Sequence, residues 1–156
     1  MTVWEISLRL CAATILGGVI GLNRDLHGKA TGVRTLGLVS LGAALTVLGV
    51  IDFVPQTVPD PNSLSRVVQG VLTGIGFLGA GVILHDLDGQ HRIHGLTTAA
   101  VTWLTACVGL VCGTGNWRLL AVGMALLSLL LTFGGGAERM FHQRFGRAAP
   151  DDKAGD

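Results

Sequence analysis

Residues 66–84 read RVVQGVLTGIGFLGAGVIL, and how this stretch is read decides the fold. From Val67 to Leu84 it carries no charge, and those 18 residues are long enough to cross a bilayer as a helix. Gly70, Gly74, Gly76, Gly79 and Gly81 fall within twelve residues. At about 100° per residue, Gly70, Gly74 and Gly81 share one side while Gly76 and Gly79 lie roughly opposite. A helix bared on two sides admits two close neighbours, so the spacing predicts the central helix of a membrane bundle. A polar strip of Arg66, Gln69 and Thr73, continued by Ala80, runs between the bare sides.

The same glycines contain spacings found in nucleotide-binding loops. A phosphate loop needs a Lys and a Ser or Thr after its glycines, and a dinucleotide fold needs a strand before them. Neither is present. Close helix packing is the reading adopted for Gly70 to Gly81, with a locally unwound helix lining a cavity as its alternative.

The flanking sequence repeats the apolar pattern. Val3 to Leu22 makes a first span, free of charge from Leu10 onward. Glu5 and Arg9 stand four apart near its start, where they can pair on one face, and Ala13, Gly17 and Gly21 form a small-residue stripe. The connection at 23–34, NRDLHGKATGVR, sets Arg24, Lys29 and Arg34 against Asp25. Thr35 to Ile51 makes a second span. Pro55, Pro59 and Pro61 then mark an aqueous loop. Beyond the central stretch lies the polar HDLDGQHRIHG, residues 85–95, followed by spans at Leu96 to Gly113 and Leu119 to Phe133. The last of these is expected to end at Gly134–Gly136.

The fold class expected is therefore all-α, a polytopic membrane helix bundle of about five transmembrane helices. It divides into a bundle over 1–136 and a tail over 137–156. In the tail, Arg139, Arg144 and Arg147 beside Met140, Phe141 and Phe145 suit a short amphipathic helix on the membrane surface, with a disordered end. An outside N-terminus places eight Lys and Arg on the inner face against three outside, so the positive-inside rule predicts N-out/C-in. Glu5 and Arg9 stand where a cleavable leader would carry a basic region, so the first segment is expected to stay in the membrane.

Composition agrees. Of 156 residues 49% are hydrophobic and 13% charged, where soluble domains carry about a quarter charged. Glycine, at 24 residues, is about twice its usual share. A net charge of +1 argues against nucleic acid as a partner. Cys11, Cys107 and Cys112 each lie in an apolar run and are expected as buried, inert thiols.

Few residues offer chemistry. His85, Asp86, Asp88, His91 and His94 could hold a divalent ion at a membrane face. The Asp-x-Asp-Gly run lacks the distal Glu of a calcium loop, however, and His91 with His94 does not define a zinc site. A solvated loop without metal is the plainer reading. Asn23, Arg24, Asp25, Arg34 and Arg66 sit at span ends, where ionisable groups serve function or snorkel to water. Thr98, Thr102, Thr105 and Gly109 share one face of the fourth span. Their hydroxyls either bond their own helix four residues back or line a polar path. No nucleophile or carboxylate pair stands beside a base, so neither an enzyme nor a cofactor is expected.

The stretch GGVIGLNRDLHGKATGVRTLGLVSLGAA at 17–44 resembles the first signature of the MgtC/SapB membrane-protein family. The 66–84 stretch, followed by IHGLTTAAVTWLTACVGLVCGTG at 93–115, resembles the second. Arg24, Gly32, Arg34, Thr35, Arg66 and Gly76 keep the family pattern. Asn23 departs from it, standing where relatives have an acidic residue. Many relatives also carry a soluble C-terminal domain, which these 156 residues do not include.

The resemblance implies a multi-pass protein of the bacterial inner membrane. It is linked to growth under magnesium limitation and, in pathogens, to survival inside host cells. The action ascribed to some relatives, binding other membrane proteins such as ATP synthase, implies a module working through protein partners. The alternative is a small, oligomeric transporter or channel passing a cation such as Mg2+ along the polar strip. Intramembrane carboxylates are absent between Leu10 and Leu22 and between Val67 and Leu84, which favours the partner-binding module. A homo-oligomer in the lipid bilayer is expected on either reading.

Overall fold

The computed structural model describes residues 1–53, 61–84 and 95–145, with side chains described over 1–52, 62–83 and 95–133. Five helices follow one another among these residues, with no strand: α1 (Val3–Leu26), α2 (Val33–Phe53), α3 (Pro61–Leu84), α4 (Leu96–Thr114) and α5 (Trp117–Phe145). The first four contain stretches long and apolar enough to cross a membrane, and the apolar part of α5, Trp117–Phe133, is shorter. The protein is an all-helical, multi-pass membrane protein.

Local sequence sets several helix ends. The Thr2 hydroxyl accepts the Glu5 N–H (3.3 Å) and caps α1. Gly115, at φ 74°, closes α4 in the left-handed conformation that glycine adopts without strain. Two ends differ from expectation. Pro61, read as part of the loop, is the first residue of α3, where its missing N–H costs nothing. The run Gly134–Gly136, read as a stop, lies inside α5. Glycine weakens a helix there but removes no hydrogen-bond donor.

The chain forms two compact units, Met1–Leu120 and Ala121–Asp156. The second holds most of α5. In the first, α2 packs against α1, α3 and α4, with Leu36, Ser40, Ala43, Ala44 and Val47 buried along it. Its carbonyls at Leu36, Ser40 and Ala44, one turn apart, are each met by a glycine. A Cβ on Gly17 of α1 would lie 2.6 Å from the Leu36 oxygen, one on Gly113 of α4 would lie 3.0 Å from the Ala44 oxygen, and one on Gly109 would overlap the Ser40 oxygen. Backbone meets backbone here, which only small residues allow in a membrane.

The central helix is thus α2, where the glycine count points to α3. The reason is where α3 keeps its bulk. Leu64, Val67, Val68, Val71, Leu72 and Ile75 pack against the Ala43, Val47, Ala106 and Leu110 cluster. The side of α3 with most of its large residues therefore faces inward together with Gly79, while Phe77 and Leu78 are exposed. Of the three free cysteines, Cys112 is buried as expected, Cys107 is half-buried, and Cys11 is exposed on α1.

Candidate functional site

The polar residues of the α1–α2 connection form a compact knot. Gly28 (φ 61°) and Thr31 (φ 68°) turn the chain between the helices. Asp25 reaches forward to accept the Val33 N–H at 3.0 Å, placing a carboxylate at the N-terminus of α2 where the helix dipole favours negative charge. Gly32 leaves room for it, since a Cβ there would overlap the Asp25 carboxylate. Asn23 is half-buried, and its carbonyl accepts from His27 Nδ1 at 2.7 Å.

Arg24 is buried, 3% exposed. Its Nε and Nη2 donate to the Ala30 carbonyl at 3.3 and 3.1 Å, and Nη2 donates to the Thr98 hydroxyl at 2.6 Å. One guanidinium therefore ties the end of α1, the turn and the first turn of α4 together. No described carboxylate pairs with it. Thr102 and Thr105, buried on the same face of α4, donate to their own helix at Thr98 and Val101 (2.9 and 2.8 Å). Thr98 differs, taking its bond from α1.

Arg9 makes the matching contact at the other end. Its Nη1 donates to the Gly113 carbonyl at 2.8 Å, it pairs with Glu5, and it lies against Gly115. The positive charge meets the last carbonyls of α4, where the helix dipole is negative. Arg9 to Arg24 and Thr98 to Gly113 are equal spans of fifteen residues, so α1 and α4 run antiparallel and are pinned at both ends. The Glu5–Arg9 pair is legible as an i,i+4 spacing. The bond to Gly113 has no local signal.

Between the pins, Ser40 is a buried hydroxyl without a partner among the described residues, and sequence reasoning passed it over. The line from Arg24 through Thr98, Thr102 and Thr105 toward Ser40 and Arg9 has a guanidinium at each end. A cation entering it meets like charge from either side.

The other candidates lie elsewhere. Arg34 and Thr35 are exposed at the start of α2. Arg66, Gln69 and Thr73 are exposed on α3, where the Thr73 hydroxyl donates to the Gln69 carbonyl at 2.8 Å. Gly17 and Gly21 of α1 are buried against α2, and Gly79 contacts Ala99 of α4. Gly70, Gly74, Gly76 and Gly81 have no described atom within 4 Å of where a Cβ would stand, so the packing expected at them is not made among the described residues of the Met1–Leu120 unit. His85, Asp86, Asp88, His91 and His94 lie outside the described residues. Among those described, no group of three His, Cys, Asp or Glu gathers.

The MgtC family model matches residues 10–140. "Protein SrpB" of Synechococcus elongatus is 44% identical over 133 residues, 81% of this chain and 73% of its own. "Putative magnesium transporter YhiD" of Escherichia coli K12 is 38% identical over 142 residues, 89% of this chain and 61% of its own. "Protein MgtC" of Salmonella typhimurium is 36% identical over 118 residues, 76% of this chain and 47% of its own. The chain thus spans from about half to about three quarters of the length of these relatives. No solved structure matches it.

Proposed function

This chain belongs to the MgtC family, and on that premise we propose that it serves magnesium homeostasis in a bacterial inner membrane by docking other membrane proteins against its helices. The observation that carries the reading is the open side of α3, where four glycines stand bare inside a membrane span. Bare glycines are how one membrane helix admits another. The name of the Escherichia coli relative makes Mg2+ transport the competing reading. Against transport stand the two arginines at the ends of the buried hydroxyl line, which repel a cation there.

Flux separates these readings, and a variant then tests the α3 face. In liposomes holding a Mg2+-sensitive dye, the purified protein is expected to pass no more Mg2+ than empty vesicles, and flux above that level would replace docking with transport. In a host lacking its own relative, Gly74→Leu is expected to abolish growth support at limiting Mg2+ while the protein accumulates normally. The proposed orientation is N-out. Single cysteines at 59 and 116 should react with an impermeant reagent from outside, and those at 29 and 90 should not.

A further inference from the structure

For a helix in lipid, α3 is polarised in reverse. Its large apolar residues, Val67, Val68, Val71, Leu72 and Ile75, face the bundle. Its exposed side carries Arg66, Gln69 and Thr73 among bare glycines, together with Phe77 at 80% exposure. In the span Asn62–Ile83, Gln69 lies about 10 Å beyond the first residue, at a depth where hydrocarbon offers its amide no partner. Such a face is matched by another helix, which can approach the glycines and bond the amide.

Charge decides which helix. Arg66 lies at the N-terminal end of this face, one turn before Gly70, and has no ion-pair partner among the described residues. A second copy inserts with the same orientation, so a closed pair has its twofold axis along the membrane normal. Crossing at Gly70 and Gly74, two α3 helices would then set Arg66 against Arg66 at one depth. The chain's own fifth helix also brings the wrong sign. Gly79 meets Ala99 and Gly95 meets Val82, so α3 and α4 are antiparallel. The α4–α5 turn therefore emerges at the Arg66 end carrying Arg118, while the single acid of α5, Glu138, stands twenty residues further on.

Building on the docking reading, we infer that the α3 face takes a transmembrane helix of another membrane protein, with small residues facing Gly70 and Gly74 and an Asp or Glu at the depth of Arg66. The carboxylate pairs with the guanidinium as the glycines close on the partner's backbone.

The test uses the full chain in liposomes and three synthetic transmembrane peptides. All share a Leu/Ala host with one Gly-x-x-x-Gly, and they carry Glu, Gln or Lys at the Arg66 depth. Binding is read by energy transfer. The Glu peptide is expected to bind about tenfold more tightly than the Gln peptide, with Lys weakest. Arg66→Glu should reverse the order, and Gly74→Leu should abolish all three. Equal binding of the Glu and Gln peptides overturns the acidic partner. So does energy transfer between two labelled copies of the chain that Gly74→Leu removes, since a second copy then fills the face. If the peptides show no charge order yet Gly74→Leu still abolishes growth support at limiting Mg2+, docking stands and the acid falls. If Gly74→Leu leaves growth intact, docking itself falls.

Discussion

Three times the chain places two glycines four residues apart in a span: Gly17 and Gly21 in α1, Gly70 and Gly74 in α3, Gly109 and Gly113 in α4. The first and third pairs are filled by α2, close enough that an added Cβ would collide with its backbone, while the pair in α3 faces no described atom within 4 Å. The motif is the same and the outcome is opposite. Such spacing prescribes how closely a neighbour can come, and the residues on the far side of the helix decide which neighbour it is. In α4 the glycine side also bears Thr98, Thr102 and Thr105, so its polar and bare surfaces turn inward together. In α3 the bulky side turns inward and leaves both on the outside.

The largest test of this contrast is Gly109→Leu against Gly74→Leu. The first drives an isobutyl group into the Ser40 carbonyl, and overpacking of about 3 kcal/mol or more should leave little folded protein. The second should accumulate and melt like the parent, by helical circular dichroism in detergent. Equal behaviour of the two would end the comparison.

Next comes the pin at Arg24. Arg24→Leu removes the bonds to Ala30 and Thr98 and should destabilise the bundle by about 2 kcal/mol. Arg66→Leu, on the open face, should leave melting unchanged. A parent-like melt for Arg24→Leu would show that the α1–α4 pin contributes no stability.

Asp25→Ala strips the cap from α2 and should cost about 1 kcal/mol, with Asp25→Asn recovering part of it. Thr31→Gly is the smallest effect and has the opposite sign. It relieves a non-glycine residue held at φ 68° and should raise stability by about 0.5–1 kcal/mol. A loss there would mean that the Thr31 hydroxyl, bonded to the Ala30 carbonyl, outweighs the strain.

Much of the site was legible residue by residue. The span-end position of Arg24 marked it as unusual, and the shared face of Thr98, Thr102 and Thr105 followed from helical spacing. That Arg24 chooses Thr98, 74 residues away, was not legible, because no local pattern encodes which helices become neighbours. Ser40 and the bond from Arg9 to Gly113 escaped notice for the same reason. A serine in an apolar run and an i,i+4 ion pair both look complete on their own strand of sequence.

What the sequence determined by itself is the number and placement of apolar helices, and the positions where a neighbour can come close. Those follow from local terms: hydrophobic length against bilayer thickness, and the presence or absence of a side chain. What only the tertiary structure decided is that α2 is the hub, that α1 and α4 are pinned end to end by two arginines, and that Gly70, Gly74, Gly76 and Gly81 of α3 are left open while Gly79 packs against α4. Lipid tails solvate every apolar face about equally, so burial alone does not rank one helix pairing above another. The ranking comes from shape and from a few buried hydrogen bonds, and both exist only once the helices are side by side.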